Sequence, residues 1–305
     1  MVSRRALFDE CVKLLSDAGK ESAEFDTLCI FQDMLGDKNP LFSPLKEVPA
    51  EIAARIRGLA EKRADGQPLQ YLLGEWEFYG LPFRVGEGVL IPRPDTETLI
   101  DHILDLCRER SLTAPVIIDL CSGSGCIAIT LQKQLPEAEV YAVELSGEAL
   151  KYLRQNKELN RSPINITEGD VLRAETAKSL PKADIIVSNP PYLTTQDMAE
   201  LEKEVTFEPA SALFGGSDGL GFYRAISSLW RSSIRTGGFI AYEFGMDQHN
   251  SVKAILEGCG YGNFSFRKDG GGIIRTIAAD KNCSAAPGYT DTSLRDQDFL
   301  TRSEE

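Results

Sequence analysis

From Val116 onward, short apolar runs alternate with amphipathic stretches, and this alternation narrows the possible folds more than any other feature. Val116-Ile117-Ile118-Asp119-Leu120 is a nearly unbroken apolar run, as expected of a strand buried on both faces. A helical stretch from Ile127 to Leu135 follows, then a strand from Val140 to Glu144 and a helix from Ala149 to Leu159. Asn165-Ile166-Thr167 forms a short strand before Asp170, and Ala183 to Ser188 a further one. After a helix around Tyr223 to Ile234 comes a strand at Phe239 to Glu243. Phe264-Ser265-Phe266 and Ile273 to Ile277 flank Asp269-Gly270-Gly271-Gly272, a hairpin signal. Strands and helices that alternate and close on a hairpin predict an α/β domain, a doubly wound Rossmann-like sheet with an antiparallel edge strand.

The flanks differ in character. Residues 1–73 read as a small N-terminal helical domain, with Leu7, Phe8, Cys11, Leu14 and Leu15, then Phe25, Leu28, Phe31, Met34 and Leu35, at helical spacing. A third helix follows Pro49 and a short turn starts near Gln67. Residues 74–92, rich in aromatics and Val with Gly80 and Gly86 as turn points, read as a β-hairpin linker. The α/β domain spans 93–279, its first helix capped by Asp95 or Thr96, and residues 280–305 are polar enough to predict a disordered tail.

Composition excludes several function classes. A formal charge of −13 argues against direct binding of nucleic acid, where phosphate contacts need a basic surface, and suits a partner with basic regions. No long apolar span and no signal-peptide core are visible, which predicts a cytoplasmic protein with no membrane contact. The seven cysteines (Cys11, Cys29, Cys107, Cys121, Cys126, Cys259 and Cys283) lack a repeated metal-binding spacing and read as reduced thiols. His102 and His249, in unrelated segments, give no metal site, and His102 is expected to be a half-exposed helix residue.

Four places carry chemistry. Cys121-Ser122-Gly123-Ser124-Gly125 joins a buried strand to a helix, where glycine lets a ligand approach the backbone across the strand ends. The same run also suits a tight turn with no ligand. Glu144 ends the next strand, about twenty residues on, where a carboxylate can accept hydrogen bonds from both ribose hydroxyls of an adenosine. A helix-capping role beside Ser146 is the plainer alternative. Asp170, after the following strand, would reach the adenine end of such a pocket, though acidic turns of this kind are common. No Walker lysine follows the glycine loop, so nothing points to a triphosphate.

The fourth place is Asn189-Pro190-Pro191-Tyr192, directly after a hydrophobic strand. Consecutive prolines fix the backbone and leave carbonyls as acceptors, and Asn189 adds a side-chain carbonyl. Together they can hold both hydrogens of an NH₂ group, while Tyr192 offers an aromatic face to the planar group that carries it. A Pro-Pro turn ending a strand is the plainer alternative.

With the glycine loop and Glu144, this motif resembles the class I methyltransferases that act on amino groups. Pro68-Leu69-Gln70-Tyr71-Leu72, Gly74, Ile91-Pro92-Arg93-Pro94-Asp95-Thr96-Glu97, and Phe207-Glu208-Pro209 followed by Ala212-Leu213 and Gly215 to Gly221 are similar to the bacterial release factor glutamine methyltransferases, the PrmC/HemK family. The likeness runs from about residue 67 to 278. It implies a class I Rossmann-like methyltransferase that moves a methyl group from S-adenosylmethionine, leaving S-adenosylhomocysteine. The implied acceptor is the side-chain amide nitrogen, N5, of the glutamine in the Gly-Gly-Gln motif of class 1 peptide chain release factors. Implied donor contacts are Cys121, Ser122, Gly123, Ser124, Gly125, Glu144, Val171 and Asn189. Implied catalytic residues are Asn189, Pro190 and Tyr192, with Pro191 also touching substrate, and a monomer is expected.

The chain departs from that family at three places. Cys121 stands where the loop usually begins with Gly, Glu144 where the ribose acid is usually Asp, and Val171 where an aromatic residue can pack near adenine. An enzyme that methylates the exocyclic amine of adenine in DNA or RNA remains the alternative, because a flipped base presents the same planar NH₂. A module that binds S-adenosylmethionine without catalysis is a second alternative, one with no need of an intact Asn-Pro-Pro-Tyr.

Overall fold

The structure, a computed structural model, describes residues 1–41 and 46–282. The tail expected from residue 280 and Cys283 therefore fall outside the described residues beyond Asn282. The chain divides into two compact units: Met1–Trp76 with Val85–Glu87 and Leu201–Phe207, and Glu77–Arg84 with Gly88–Glu200 and Glu208 onward.

In the first unit, β1 (Val2–Ser3) leads into α1 (Arg4–Asp17), then α2 (Ala23–Leu35), β2 (Glu47–Val48), α3 (Ala50–Ala64) and α4 (Leu69–Leu73). Leu7, Phe8 and Cys11 of α1 meet Ile30 and Phe31 of α2 and Ala53, Ile56 and Ala60 of α3 in one core. That packing uses Leu7, Phe8, Cys11 and Phe31 of the expected faces, whereas Leu14 and Phe25, expected to join them, are exposed. β1 and β2 pair antiparallel in a two-stranded ribbon that the helical reading does not contain. β3 (Glu75–Phe78) and β4 (Leu81–Arg84) form the expected hairpin. Its turn has Tyr79 at φ 53° and Gly80 at φ 73°, both positive, as the two-residue turn that matches strand twist requires.

The second unit continues with α5 (Pro94–Glu109), β5 (Val116–Leu120), α6 (Cys126–Gln134), β6 (Glu139–Glu144), α7 (Gly147–Leu159), β7 (Asn165–Glu168), α8 (Ala174–Ser179) and β8 (Ala183–Ser188). The short helices α9 (Thr195–Ala199) and α10 (Ala210–Leu213) precede α11 (Gly221–Leu229), β9 (Ile234–Glu243), α12 (His249–Gly258), β10 (Tyr261–Lys268) and β11 (Ile274–Lys281). Seven strands form one sheet in the order β10-β11-β9-β8-β5-β6-β7. β7, β6, β5, β8 and β9 are mutually parallel, and β11 pairs antiparallel with β9 on one side and β10 on the other. The sheet is thus the doubly wound Rossmann-like type with an antiparallel hairpin at one edge.

Side chains alternate across this sheet. Ile117 of β5 faces one core, with Leu99 and Ile103 of α5, Ile127 and Leu131 of α6 and Leu150 and Leu153 of α7. Ile118 and Leu120 face the other, with Tyr223, Ile226 and Trp230 around α11 and Val252 and Leu256 of α12. Both faces are covered, which is why the central strands read as continuous apolar runs rather than alternating ones.

Two local expectations fail. α5 begins at Pro94, with Arg93 rather than Asp95 or Thr96 at its cap position, because a proline pre-sets the first helical φ. His102 is buried rather than half-exposed: its Nδ1 lies 2.8 Å from Thr276 Oγ1 and its Nε2 2.8 Å from Ser265 Oγ. Burial lowers its pKa to about 4, so the ring is neutral.

Candidate active site

The parallel strands end on one side of the sheet, and the loops that leave them enclose a cavity of about 980 Å³ within the second unit. This is where an open α/β sheet leaves room for a ligand. Cys121, Ser122, Gly123 and Ser124 after β5, Glu144 to Ser146 after β6, Gly169 to Leu172 after β7 and Asn189 and Pro191 after β8 line it.

The loop after β5 is held from several sides. Ser122 N–H donates to Val143 O at 3.0 Å, Ser122 Oγ to Asp119 O at 2.9 Å, and Asn156 Nδ2 to Ser124 O at 2.9 Å. Gly123 and Gly125 take positive φ, 54° and 82°. They do so for different reasons. A Cβ on Gly123 would meet nothing within 4 Å, whereas one on Gly125 would lie 2.3 Å from Leu153 Cδ1. A side chain at Gly125 would thus have to displace the end of the buried Leu153 side chain of α7 as well as hold a positive φ, and Gly125 itself is set back from the cavity lining. Cys121 has φ 60°, a left-handed backbone that glycine adopts freely and an L-residue adopts at a cost of about 1–2 kcal/mol. Burial pushes its thiol pKa well up, so it is a neutral, unreactive group.

Glu144 is nearly buried and organises the site. Its Oε2 accepts from Gly123 N–H at 2.7 Å, and its Oε1 accepts from Leu145 and Ser146 N–H at 2.9 and 2.7 Å. A carboxylate has about four lone-pair sites and three are taken, so capacity for about one further donor remains on a residue that lines the cavity. The capping role falls to Ser146, which accepts from Ala149 N–H and caps α7, and not to Glu144, which is nearly buried. Val171 lines the cavity with its side chain in the core, and its carbonyl accepts Trp230 Nε1–H at 2.8 Å. Asp170 also lines the cavity, its Oδ1 taking Leu172 N–H at 2.9 Å. Behind the loop, burial pushes Asp119 up to about 8.

At the other end of the cavity, Asn189 Nδ2 donates to Thr96 Oγ1 at 3.3 Å. An amide whose NH₂ is turned to a neighbour leaves Oδ1 as an acceptor. Pro190 and Tyr192 do not line the cavity. Pro190 is buried and Tyr192 half-buried, its carbonyl accepting Gln248 Nε2–H at 3.0 Å. Burial raises the Tyr192 phenol to about 12, which keeps it protonated. Beside Asn189 and Thr96 lies Glu243, which burial pushes up to about 7 while the Thr96 hydroxyl pulls it down.

Two further parts of the wall come from the segments that carry the family likeness, to which the sequence assigned no contact of their own. Ile91, Pro92 and Arg93 line the cavity, as do Pro209 to Ala212. Glu208 clips these segments together: its buried carboxylate accepts from Ile91 N–H at 3.0 Å and pairs with Arg93. Met198, Phe214 and Phe222 add an apolar face. Only the unusual proximity of prolines to charged residues in Ile91 to Glu97 and Phe207 to Pro209 hints at this clip in the sequence.

Among the described residues no cluster of His, Cys, Asp and Glu has the makings of a metal site, and no helix is long and apolar enough to cross a membrane. Residues 6–74 match the PrmC N-terminal domain, and residues 95–215 match the methyltransferase small domain. The release factor glutamine methyltransferase of Fusobacterium nucleatum is 39% identical over 284 residues, 92% of this chain and 79% of the relative. That of Geobacter sulfurreducens is 38% identical over 279 residues, 90% of this chain and 95% of the relative. The crystal structure of the hMettl16 catalytic domain in complex with an RNA hairpin aligns with TM-score 0.52 at 17% identity, covering 78% of this chain and 84% of that one. This last likeness concerns the fold alone. Sheet, cavity and sequence agree on an S-adenosylmethionine-dependent methyltransferase, and the chain belongs to the release factor glutamine methyltransferase family.

Proposed function

We propose that this enzyme transfers the methyl group of S-adenosylmethionine to N5 of the glutamine in the Gly-Gly-Gln motif of class 1 peptide chain release factors. The observation that carries this reading is Asn189 at the cavity wall, with its NH₂ turned to Thr96 and its Oδ1 left to accept. The donor supplies a methyl group already activated on a sulfonium, so no covalent nucleophile is needed from the protein. Cys121 to Ser124, Glu144 and Val171 are the residues placed to hold it, with Glu144 accepting from ribose. The open space over Gly123 and the remaining lone pair of Glu144 support this fit.

A primary amide nitrogen is a weak nucleophile because its lone pair is delocalised into the carbonyl. Asn189 Oδ1, at the cavity wall, accepts one N–H and holds the NH₂ so that the lone pair faces the methyl carbon. The family likeness assigns the other N–H to the carbonyl of Pro190, just behind that wall. The nitrogen forms the new N–C bond as the S–C pair returns to sulfur, and one N–H proton leaves to water. Pro191, at the cavity wall, bounds the planar amide. In this reading the enzyme works as a cytoplasmic monomer on a protein partner, without direct contact with nucleic acid or membrane.

Glu144→Ala should weaken S-adenosylhomocysteine binding by tenfold or more, since each charge-assisted bond is worth roughly 1.5–3 kcal/mol. The loop itself also loses the acceptor that Gly123 N–H uses. Unchanged affinity in calorimetric titration would remove Glu144 from the donor site. The function is tested by mass spectrometry of a purified release factor after incubation with enzyme and donor. One added methyl on the Gly-Gly-Gln glutamine is expected. Transfer to nuclease-sensitive material, with none to the factor, would sink the reading in favour of an adenine enzyme.

A further inference from the structure

The end of β9 carries a buried carboxylate that the mechanism above does not use. Glu243 is 2% exposed, and its Oε2 has no hydrogen-bond partner among the described residues. Buried polar atoms are nearly always partnered, so an orphaned carboxylate oxygen beside the reacting centre needs a reason to be there. Ser188 of β8 pairs with Tyr242 of β9, so Asn189 and Glu243 leave neighbouring strand ends side by side. Hydrogen bonding from Thr96 of α5 and from Asn189 opposes the rise that burial causes in the Glu243 pKa. The charged and titratable groups around it are Asp95 of α5, Arg275 of β11, Tyr192 after β8, Tyr223 of α11 and Cys126 of α6.

We propose that Glu243 is a positioning residue that fixes which end of the Asn189 amide meets the acceptor. The inference rests on Asn189 acting as an acceptor for substrate N–H. The Asn189–Thr96 contact cannot set that orientation alone, because a hydroxyl donates or accepts equally well. An amide turned end for end would still bond to Thr96, but would then present NH₂ to the substrate's NH₂. An ionised carboxylate only accepts. It accepts a hydrogen bond from the Thr96 hydroxyl, which leaves Thr96 Oγ1 able only to accept from Asn189 Nδ2, or it accepts from an Asn189 N–H directly. Either way the nitrogen end is held inward and Oδ1 faces out.

Protonation removes this bias. A neutral Glu243 donates as well as accepts, Thr96 is free to turn, and the Asn189 amide loses its preferred end. Since burial places the Glu243 pKa at about 7, the share of correctly set enzyme falls as pH drops through that value. The stability consequence has the opposite sign. A carboxyl whose pKa is raised in the fold, from 4.5, stabilises the fold in its neutral form, and this contribution is lost as pH rises through about 7. Above that pH the enzyme keeps a buried charge that weakens it and orients its catalytic amide.

The test compares wild type with Glu243→Gln, neutral at every pH, using release factor methylation and S-adenosylhomocysteine titration. Glu243→Gln should lower kcat by roughly tenfold to a hundredfold, the range for a group that sets a transition-state hydrogen bond. KM and product affinity should stay unchanged. The variant should also lose the acid limb near pH 7 in kcat/KM, which reports groups of the free enzyme. Its Tm at pH 8 should rise. Thr96→Val, which removes the same link from the other side, should lower kcat by a similar factor, and the double variant little further. Wild-type kcat in Glu243→Gln, or parallel losses of kcat, product affinity and Tm, would overturn the proposal. A wild type that transfers no methyl to the factor would overturn the functional reading itself, and this role of Glu243 with it.

Discussion

Asn189→Ala is expected to lower kcat by about a hundredfold or more while leaving affinity for S-adenosylhomocysteine within a small factor. The asymmetry follows from where the side chain stands. Asn189 shares the cavity wall with many donor-side residues, so its loss costs little ground-state binding. Its Oδ1 matters most when the amide lone pair leaves conjugation and the N–H bonds acidify, which happens only in the transition state. Alanine also leaves the Thr96 hydroxyl facing a gap that water can fill, and water does not hold an NH₂ in one orientation. Asn189→Asp is not a conservative rescue. It keeps an acceptor oxygen but has no NH₂ to give to Thr96, and it sets a second carboxylate beside buried Glu243. Single-turnover methylation with saturating donor separates these effects, and a wild-type rate for Asn189→Ala would remove the residue from the chemistry.

The sheet was legible because its central strands are buried on both faces. Val116 to Leu120 and Ala183 to Ser188 are strands at the residues where the apolar runs lie. β9 was read too short, from Phe239 rather than Ile234, because Arg235-Thr236-Gly237-Gly238 interrupts the apolar pattern before the exposed part of the strand. The donor side was legible from its backbone demands: glycine where φ is positive, and a carboxylate one strand later. What the sequence hides is which glycine faces ligand and which faces a helix, since Gly125 answers to Leu153, a residue twenty-eight positions away. The layer behind Asn189 was hidden for a similar reason. Thr96 has the look of a helix cap and Glu243 of an ordinary strand end. Only the sheet order, with β8 next to β9 and α5 across them, brings the two to the same amide. His102 misled in the same way: its hydroxyl partners, Ser265 and Thr276, come from β10 and β11 at the far end of the chain.

The largest stability loss is expected at Arg63, far from any residue that the chemistry uses. Arg63, in the last turn of α3, is 5% exposed and holds three acceptors: Asp26 Oδ2 at 2.6 Å, Glu204 Oε2 at 2.6 Å and Gln67 O at 3.1 Å. Asp26 is itself 2% exposed, with Ser22 Oγ–H as its other partner. Arg63→Met keeps most of the side-chain volume but leaves the Asp26 carboxylate buried without its cation, a situation that costs about 3–5 kcal/mol. Against the few kcal/mol that hold a small helical unit together, this is enough to unfold it near physiological temperature. Adding Asp26→Leu should recover much of the loss, because removing both charges spares the desolvation that removing one exposes. The segment Leu201–Phe207, which Arg63 grips through Glu204, belongs to the same unit while Met198 and Pro209 on either side of it line the cavity. Arg63→Met should therefore also lower turnover on the release factor, although every reacting group is intact. Differential scanning calorimetry is the decisive measurement: an early transition in Arg63→Met that moves back up in the double variant is expected. An unshifted melting profile would mean that this buried ion pair does not hold the unit together.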